Sequence, residues 1–236
     1  MPGMLIQRTS LLSGAVGARG CVVIVDVFRA CTCASIILSF VPAELRLEED
    51  PETCLRLKRD DGFLAVGELE GVTVQGFDMG NSPSRIAGAG KESFADRRVV
   101  LRTSAGVRGV FAAREQATGI WAGSYTTVSA LAKALTKSSP AEVTIVAMGW
   151  SGRGRSPEDE HCAACLYSLL DQSAGYDHAA ALQEIMRHES ARKFLRGDKD
   201  HFPVDDVTWC LQRDLFAFAM KVEDKDGILR LVKITA

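Results

Sequence analysis

No stretch of about 18 consecutive apolar residues occurs in the 236-residue chain, so nothing in it reads as a membrane span. Neither sign of charge prevails. The 28 Lys and Arg are interspersed with 30 Asp and Glu for a net charge of −2, which argues against a nucleic-acid groove or an anionic membrane surface as the main partner. The N-terminus, MPGMLIQRTSLL, has no apolar core of signal-peptide length, and a soluble, cytoplasmic protein is expected. The seven cysteines are odd in number and sit mostly in apolar or helix-like contexts, which suits reduced thiols better than a disulfide framework.

Familiar catalytic signatures are missing too. A Walker loop would need Gly where Arg85 stands and Ser or Thr where Glu92 stands. No Cys is followed six positions later by Arg, so the cysteine-phosphatase loop is absent. The haloacid-dehalogenase pattern would need Asp at Phe28, and no Ser sits in a nucleophile-elbow pentapeptide. His161, His178, His188 and His201 show no ligand spacing. A four-thiolate zinc site from Cys31, Cys33, Cys162 and Cys165 is a rival reading, but both pairs lie in apolar helical segments without knuckle glycines; buried structural thiols are the default.

What the chain does have is alternation. Val22 to Thr32, VVIVDVFRACT, is a β-branched run that stops at Asp26 and passes into a helix through Arg29. Strands near Phe63–Gly67, Val99–Leu101, Ile120–Ala122 and Val143–Met148 alternate with helix-like segments, the pattern of a largely parallel sheet with helices on both faces, a three-layer α/β/α fold. The Val22 and Val143 units share an outline of strand, polar turn and Cys-containing helix. Phe216–Val222 and Ile228–Ile234, on either side of Asp226-Gly227, predict a C-terminal β-hairpin.

Carboxylates fall at the predicted strand ends and loop edges: Asp26, Glu68, Asp78, Glu158 and Asp159. Hard oxygen ligands in such places suit Mg²⁺, which commonly takes one or two carboxylates, waters and a substrate phosphate. Each has a plainer reading. Asp26 caps a helix from Ala30 equally well, and Ser156, Pro157 and Asp159 make an ordinary helix start. Ser82-Pro83 is likewise a helix start, and Asn81 suits a left-handed turn.

VIVDVFRACT, Gly67-Glu68, GFDMGNSP at 76–83, the small-residue turn Thr103 to Arg108, and Glu158-Asp159 followed by Cys162 resemble, in that order and spacing, the 2-phosphosulfolactate phosphatase family. The likeness covers roughly Val22 to Leu170, with a weaker echo through Asp205 to Asp214. It implies a Mg²⁺-dependent phosphatase of phosphorylated 2-hydroxy acids, linked to coenzyme M biosynthesis. It also implies two α/β subdomains of similar topology, drawn at 1–118 and 119–236 with the active site in the cleft between them.

On that reading Asp26, Glu68, Asp78 and Asp159 hold Mg²⁺, and Arg29 clamps phosphate. Thr103, Ser104, Gly106 and Ser124, with Asn81 and Ser82 of the GFDMGNSP loop, bind substrate. Asp26 or Cys162 is a candidate nucleophile, metal-bound water is another attacker, and Glu158 is the candidate acid for the leaving oxygen. The substrate is a small phosphorylated acid, and a homo-oligomer is open to such a chain. The family's Thr-Thr-Asn-Gly-Thr is Thr103, Ser104, Ala105, Gly106 and Val107 here, which removes two polar side chains. The competing expectation is therefore a catalytically weakened anion-binding protein on the same scaffold.

Overall fold

The computed structural model describes residues 4–235. It begins with strand β1 (Leu5–Ser10) and helix α1 (Leu11–Gly17), neither of which the sequence reading contains. The β-branched run becomes β2 (Gly20–Val25), its last five residues buried, and Asp26 follows it at once. Helix α2 (Ala30–Ser39), strand β3 (Glu44–Leu47), helix α3 (Pro51–Asp61) and strand β4 (Leu64–Leu69) come next. Asp50 caps α3 through the Thr53 N–H, and Gly62 ends it in a left-handed conformation (φ 70°).

The chain continues through β5 (Val72–Thr73), α4 (Pro83–Ala89), β6 (Arg98–Arg102), α5 (Gly106–Ala113), β7 (Ala117–Gly123), α6 (Val128–Ser138) and β8 (Glu142–Ala147). Four helices follow: α7 (Pro157–Leu170), α8 (His178–Arg187), α9 (Glu189–Leu195) and α10 (Asp205–Leu211). The expected hairpin closes the chain as β9 (Phe218–Lys225) and β10 (Ile228–Thr235), turned at Asp226 (φ 55°) and Gly227 (φ 75°), the paired positive angles that a tight hairpin requires.

The strands described here form one sheet in the order β1-β8-β2-β7-β9-β10-β3-β6-β4-β5. β1, β8, β2 and β7 are mutually parallel, as are β3, β6 and β4; the antiparallel pair β9–β10 is inserted between the two groups. β1 and β2, from the first 25 residues, pair with β7 and β8, which the chain forms only after it has run through β3, β4, β5 and β6.

Pairing through the hairpin makes the two parallel groups run in opposite senses. A rotation of roughly 20–25° per strand accumulates over the five steps from β2 to β6 and turns opposed strands into crossed ones. Their carboxyl ends can then meet, and the Gly106 N–H beyond β6 lies 2.8 Å from the Asp26 carboxylate beyond β2.

Both faces are covered. One core joins α2 and α5 to residues from β2, β3, β4, β6, β7, β9 and β10; a second joins α6 and α7 to β2, β7 and β8; a third packs α3 on β4 and β6. No helix among the described residues is long and apolar enough to cross a membrane.

Candidate active site

Where the strand ends converge, a pocket is lined by Asp26, Phe28, Arg29, Glu68, Gly71, Asn81, Ser104, Ala105, Gly149, Trp150, Ser151, Lys193, Phe194 and Phe202. Carboxyl ends of strands collect ligands because helix N-termini and loops point there.

Asp26 is both helix cap and pocket wall, so its two readings are one. Its Oδ1 accepts from the Ala30 N–H (3.1 Å) at the head of α2, and its Oδ2 from the Gly106 N–H (2.8 Å) at the head of α5. Gly106 is required there, since a Cβ would come within 2.8 Å of the Ala30 Cβ and 3.0 Å of Asp26 Oδ2. Despite two N–H donors, burial pushes the Asp26 carboxyl up to about 6, with the charges of Glu68 and Glu158 adding to the shift.

Asp159 ties neighbouring strand ends together by accepting from Val27 N–H and Gly149 N–H, both at 2.7 Å. Burial, then the charges of Asp26 and Glu158, holds its carboxyl well above the usual range. Glu68 accepts from the Ser104 N–H (2.6 Å), the Ser104 hydroxyl (3.0 Å) and the Gly71 N–H (2.5 Å). Its strand lies tight against β6 because Gly67 (φ 154°) has no side chain to collide with the Arg102 carbonyl. Glu158 is buried, and its Oε2 accepts from the Ser190 hydroxyl at 2.6 Å.

The cations are of two kinds. Arg29 is committed: Nη1 donates to Asp206 Oδ2 and to the His201 carbonyl, both at 2.9 Å, and Nη2 to the Gly71 carbonyl at 3.2 Å. Its Nε–H and one Nη2 hydrogen have no partner among the described residues. Asp206 is wholly buried and complete, its Oδ1 accepting from the Ser82 hydroxyl (2.7 Å), the Ser84 hydroxyl (2.6 Å) and the Ser84 N–H (3.0 Å). Lys193, half-buried, lies over the Phe202 and Phe194 rings, its Nζ 4.9 and 5.3 Å from their centroids, and makes no ion pair among the described residues. Burial lowers its ammonium pKa, nearby Glu158 opposes that shift and Arg29 reinforces it.

The structure brings Asp26, Arg29, Glu68, Asn81 and Ser104 to the pocket lining, with Thr103, Gly106, Ser82, Asp159 and Glu158 around them. It places three others elsewhere. Asp78 pairs with Lys58 (2.8 Å) and accepts from the Ala65 N–H (2.8 Å), away from the pocket lining. Ser124 is fully buried and hydrogen-bonds Thr126 (2.7 Å). Cys162 belongs to the core between the sheet and α6–α7, where burial holds its thiol well above the ordinary range, the reverse of an activated nucleophile.

In the turn from Thr103, Ser104 N–H serves Glu68, Gly106 N–H serves Asp26, and Val107 N–H is capped by Thr103 Oγ1 (3.0 Å), so these three donors are engaged within the protein. Lys193, Asp206, Trp150, Phe194 and Phe202 are absent from the sequence reading. The echo around Asp205 is the one signal that pointed toward any of them.

The donor set fits Mg²⁺. Among the described residues no three His, Cys, Asp or Glu side chains converge as a ready cage, but this ion typically takes only one or two carboxylates. Asp26 and Glu68 supply hard oxygens at the pocket, and Asn81 Oδ1, buried there with no hydrogen-bond partner among the described residues, is a third. Burial, with the neighbouring carboxylates, pushes the Asp26 and Asp159 carboxyls upward, and no Lys, Arg or His pairs with either among the described residues.

A sequence model described as 2-phosphosulpholactate phosphatase matches residues 8–225. A probable 2-phosphosulfolactate phosphatase of Bacillus subtilis (strain 168) is 26% identical over 208 residues, 87% of each chain. A protein of the same name from Synechocystis is 26% identical over 232 residues, covering 90% of this chain and 92% of the other. One from Deinococcus radiodurans is 33% identical over 131 residues, 55% of this chain and 53% of its own.

Proposed function

Because the chain belongs to the 2-phosphosulpholactate phosphatase family, we propose that it hydrolyses the phosphate ester of a small 2-hydroxy acid, with 2-phosphosulfolactate as first choice, releasing 3-sulfolactate and phosphate. The observation that carries this reading is the pocket itself: the carboxylates of Asp26 and Glu68, which no cation pairs with among the described residues, stand beside the cations Arg29 and Lys193 in one hollow. A phosphate monoester and a divalent cation together complement that arrangement of charge.

Asp26, Glu68 and the Asn81 amide oxygen would hold Mg²⁺, which supplies charge neutralisation on the phosphoryl oxygens as the ester bond breaks. Arg29 offers Nε–H and its remaining Nη2 hydrogen to a phosphoryl oxygen, already oriented by Asp206, so little side-chain freedom is lost on binding. Phe28, Phe194 and Phe202 line the pocket as apolar walls, which lower the local dielectric around the ester and strengthen these polar contacts. Asp159 is not part of the pocket lining and positions rather than reacts: its two oxygens accept backbone N–H groups that fix the ends of β2 and β8.

Phosphate release from 2-phosphosulfolactate and from 2-phospholactate, measured with Mg²⁺ and again with EDTA, tests the proposal. Turnover that EDTA abolishes is expected. A purified protein inert toward both esters despite added Mg²⁺, yet still binding them, would instead establish the anion-binding alternative.

A further inference from the structure

The phosphoryl group is held by Arg29 and the proposed metal, which leaves the second pocket cation, Lys193, without an assigned partner. A free ammonium placed beside Arg29, over the same two phenyl rings, costs free energy through like-charge repulsion and burial. Arg29 is neutralised by Asp206 at 2.9 Å; no carboxylate among the described residues does the same for Lys193. It comes from α9 to a pocket whose acidic side chains come from the ends of β2 and β4. A compact point charge on an aromatic shelf suits a single anionic group, whereas a phosphate dianion calls for the metal and the guanidinium fork.

Resting on the phosphatase reading above, we infer that Lys193 is a specificity residue that binds the substrate carboxylate attached to the phosphorylated carbon. The pocket then selects 2-phospho acids over neutral phosphomonoesters. That carboxylate is common to all 2-phospho acids and lies at a short distance from phosphorus set by three covalent bonds, so one cation over the Phe194 and Phe202 rings can read it while Arg29 holds the phosphoryl group.

2-Phospholactate and isopropyl phosphate differ by that carboxylate alone, so their ratio of kcat/KM isolates it. In wild type the acid is favoured; in Lys193→Met, which keeps the apolar stem on the rings, the ratio falls roughly tenfold or more, chiefly through KM. Lys193→Arg restores most of it. A uniform loss on both esters, leaving the ratio intact, overturns the inference, and so does a loss confined to 2-phosphosulfolactate, which would place the sulfonate at Lys193.

Thermal shift with unphosphorylated lactate and malate separates the two readings. If wild type releases no phosphate from any ester but is stabilised by these acids, and Lys193→Met is not, the phosphatase reading fails and the assignment of Lys193 stands. Equal stabilisation of wild type and variant removes the assignment whatever the activity.

Discussion

Asp206 and Asp26 are both carboxylates buried beside a helix start, yet only the first meets a cation. Asp206 has Arg29 on one oxygen and three donors from Ser82 and Ser84 on the other, and it locks the heads of α2, α4 and α10 together. Asp26 has two backbone donors and, around it, more negative charge from Glu68, Glu158 and Asp159. A complete network is a structural device. An incomplete one, with carboxyls forced upward by burial, is where a ligand cation belongs.

Neutralising the incomplete site is the sharpest way to separate the two. In Asp26→Asn, phosphate release is expected to fall on the order of 10²–10³-fold, through the lost charge at the metal. Stability without divalent cations at pH 7 should hold or rise, because the variant carries one fewer repelling charge. Activity near wild type, combined with a large stability loss in urea, would reverse the contrast and make Asp26 merely a cap.

Opening the complete site is expected to do the opposite. Asp206→Ala leaves the Arg29 guanidinium buried without its counter-ion and strands the Ser82 and Ser84 hydroxyls, a loss of about 3–5 kcal/mol in urea unfolding. A loss below about 1 kcal/mol, the range of exposed pairs, would show that the network contributes nothing special to the fold.

Titration sharpens the comparison next. The folded chain holds the Asp26 proton more tightly than the unfolded chain, the pKa moving from 3.8 to about 6. Stability from this group is therefore full below about pH 4, falls as pH climbs through about 6 and is lost above it. About two pKa units correspond to about 3 kcal/mol. Mg²⁺ competes with that proton, so it should raise Tm more at pH 7.5 than at pH 5, by roughly 2–4 °C for each kcal/mol recovered. Equal gains at the two pH values, or none, would take the metal away from Asp26.

Much of the frame was legible because local chemistry and tertiary role agree. The run at Val22 and the Asp226-Gly227 turn each form what their residues favour. β1 was not legible: LIQRTS lies at the sheet edge with mixed exposure and shows no clean alternation. β3 is only four residues, alternating Glu and Arg with Leu.

At the site, Asp26, Arg29 and Glu68 announce themselves as charges ending or following apolar strands. Lys193 and Asp206 cannot do so. They lie on short helices that look like ordinary surface helices, and only the folding of α9 and α10 over the strand ends, 160 to 180 residues later in the chain, gives them a role. Asp78 misled for the converse reason, since its neighbours Asn81 and Ser82 do reach the site while its own carboxylate turns back to Lys58.

Cys162 gives the smallest expected effect and tests the same contrast from the second core. It belongs to the core that joins α6 and α7 to β2, β7 and β8, and burial, with Cys165 and Asp159 nearby, disfavours the thiolate. Cys162→Ala removes one buried heavy atom, for a stability loss of about 1 kcal/mol, with kcat/KM within about twofold of wild type. Iodoacetamide should likewise leave activity intact while the fold holds, since the thiol is 1% exposed. A 10²-fold fall in kcat at unchanged Tm would instead mean that the attacking group comes from α7, and that the acidic hollow at the strand ends only binds.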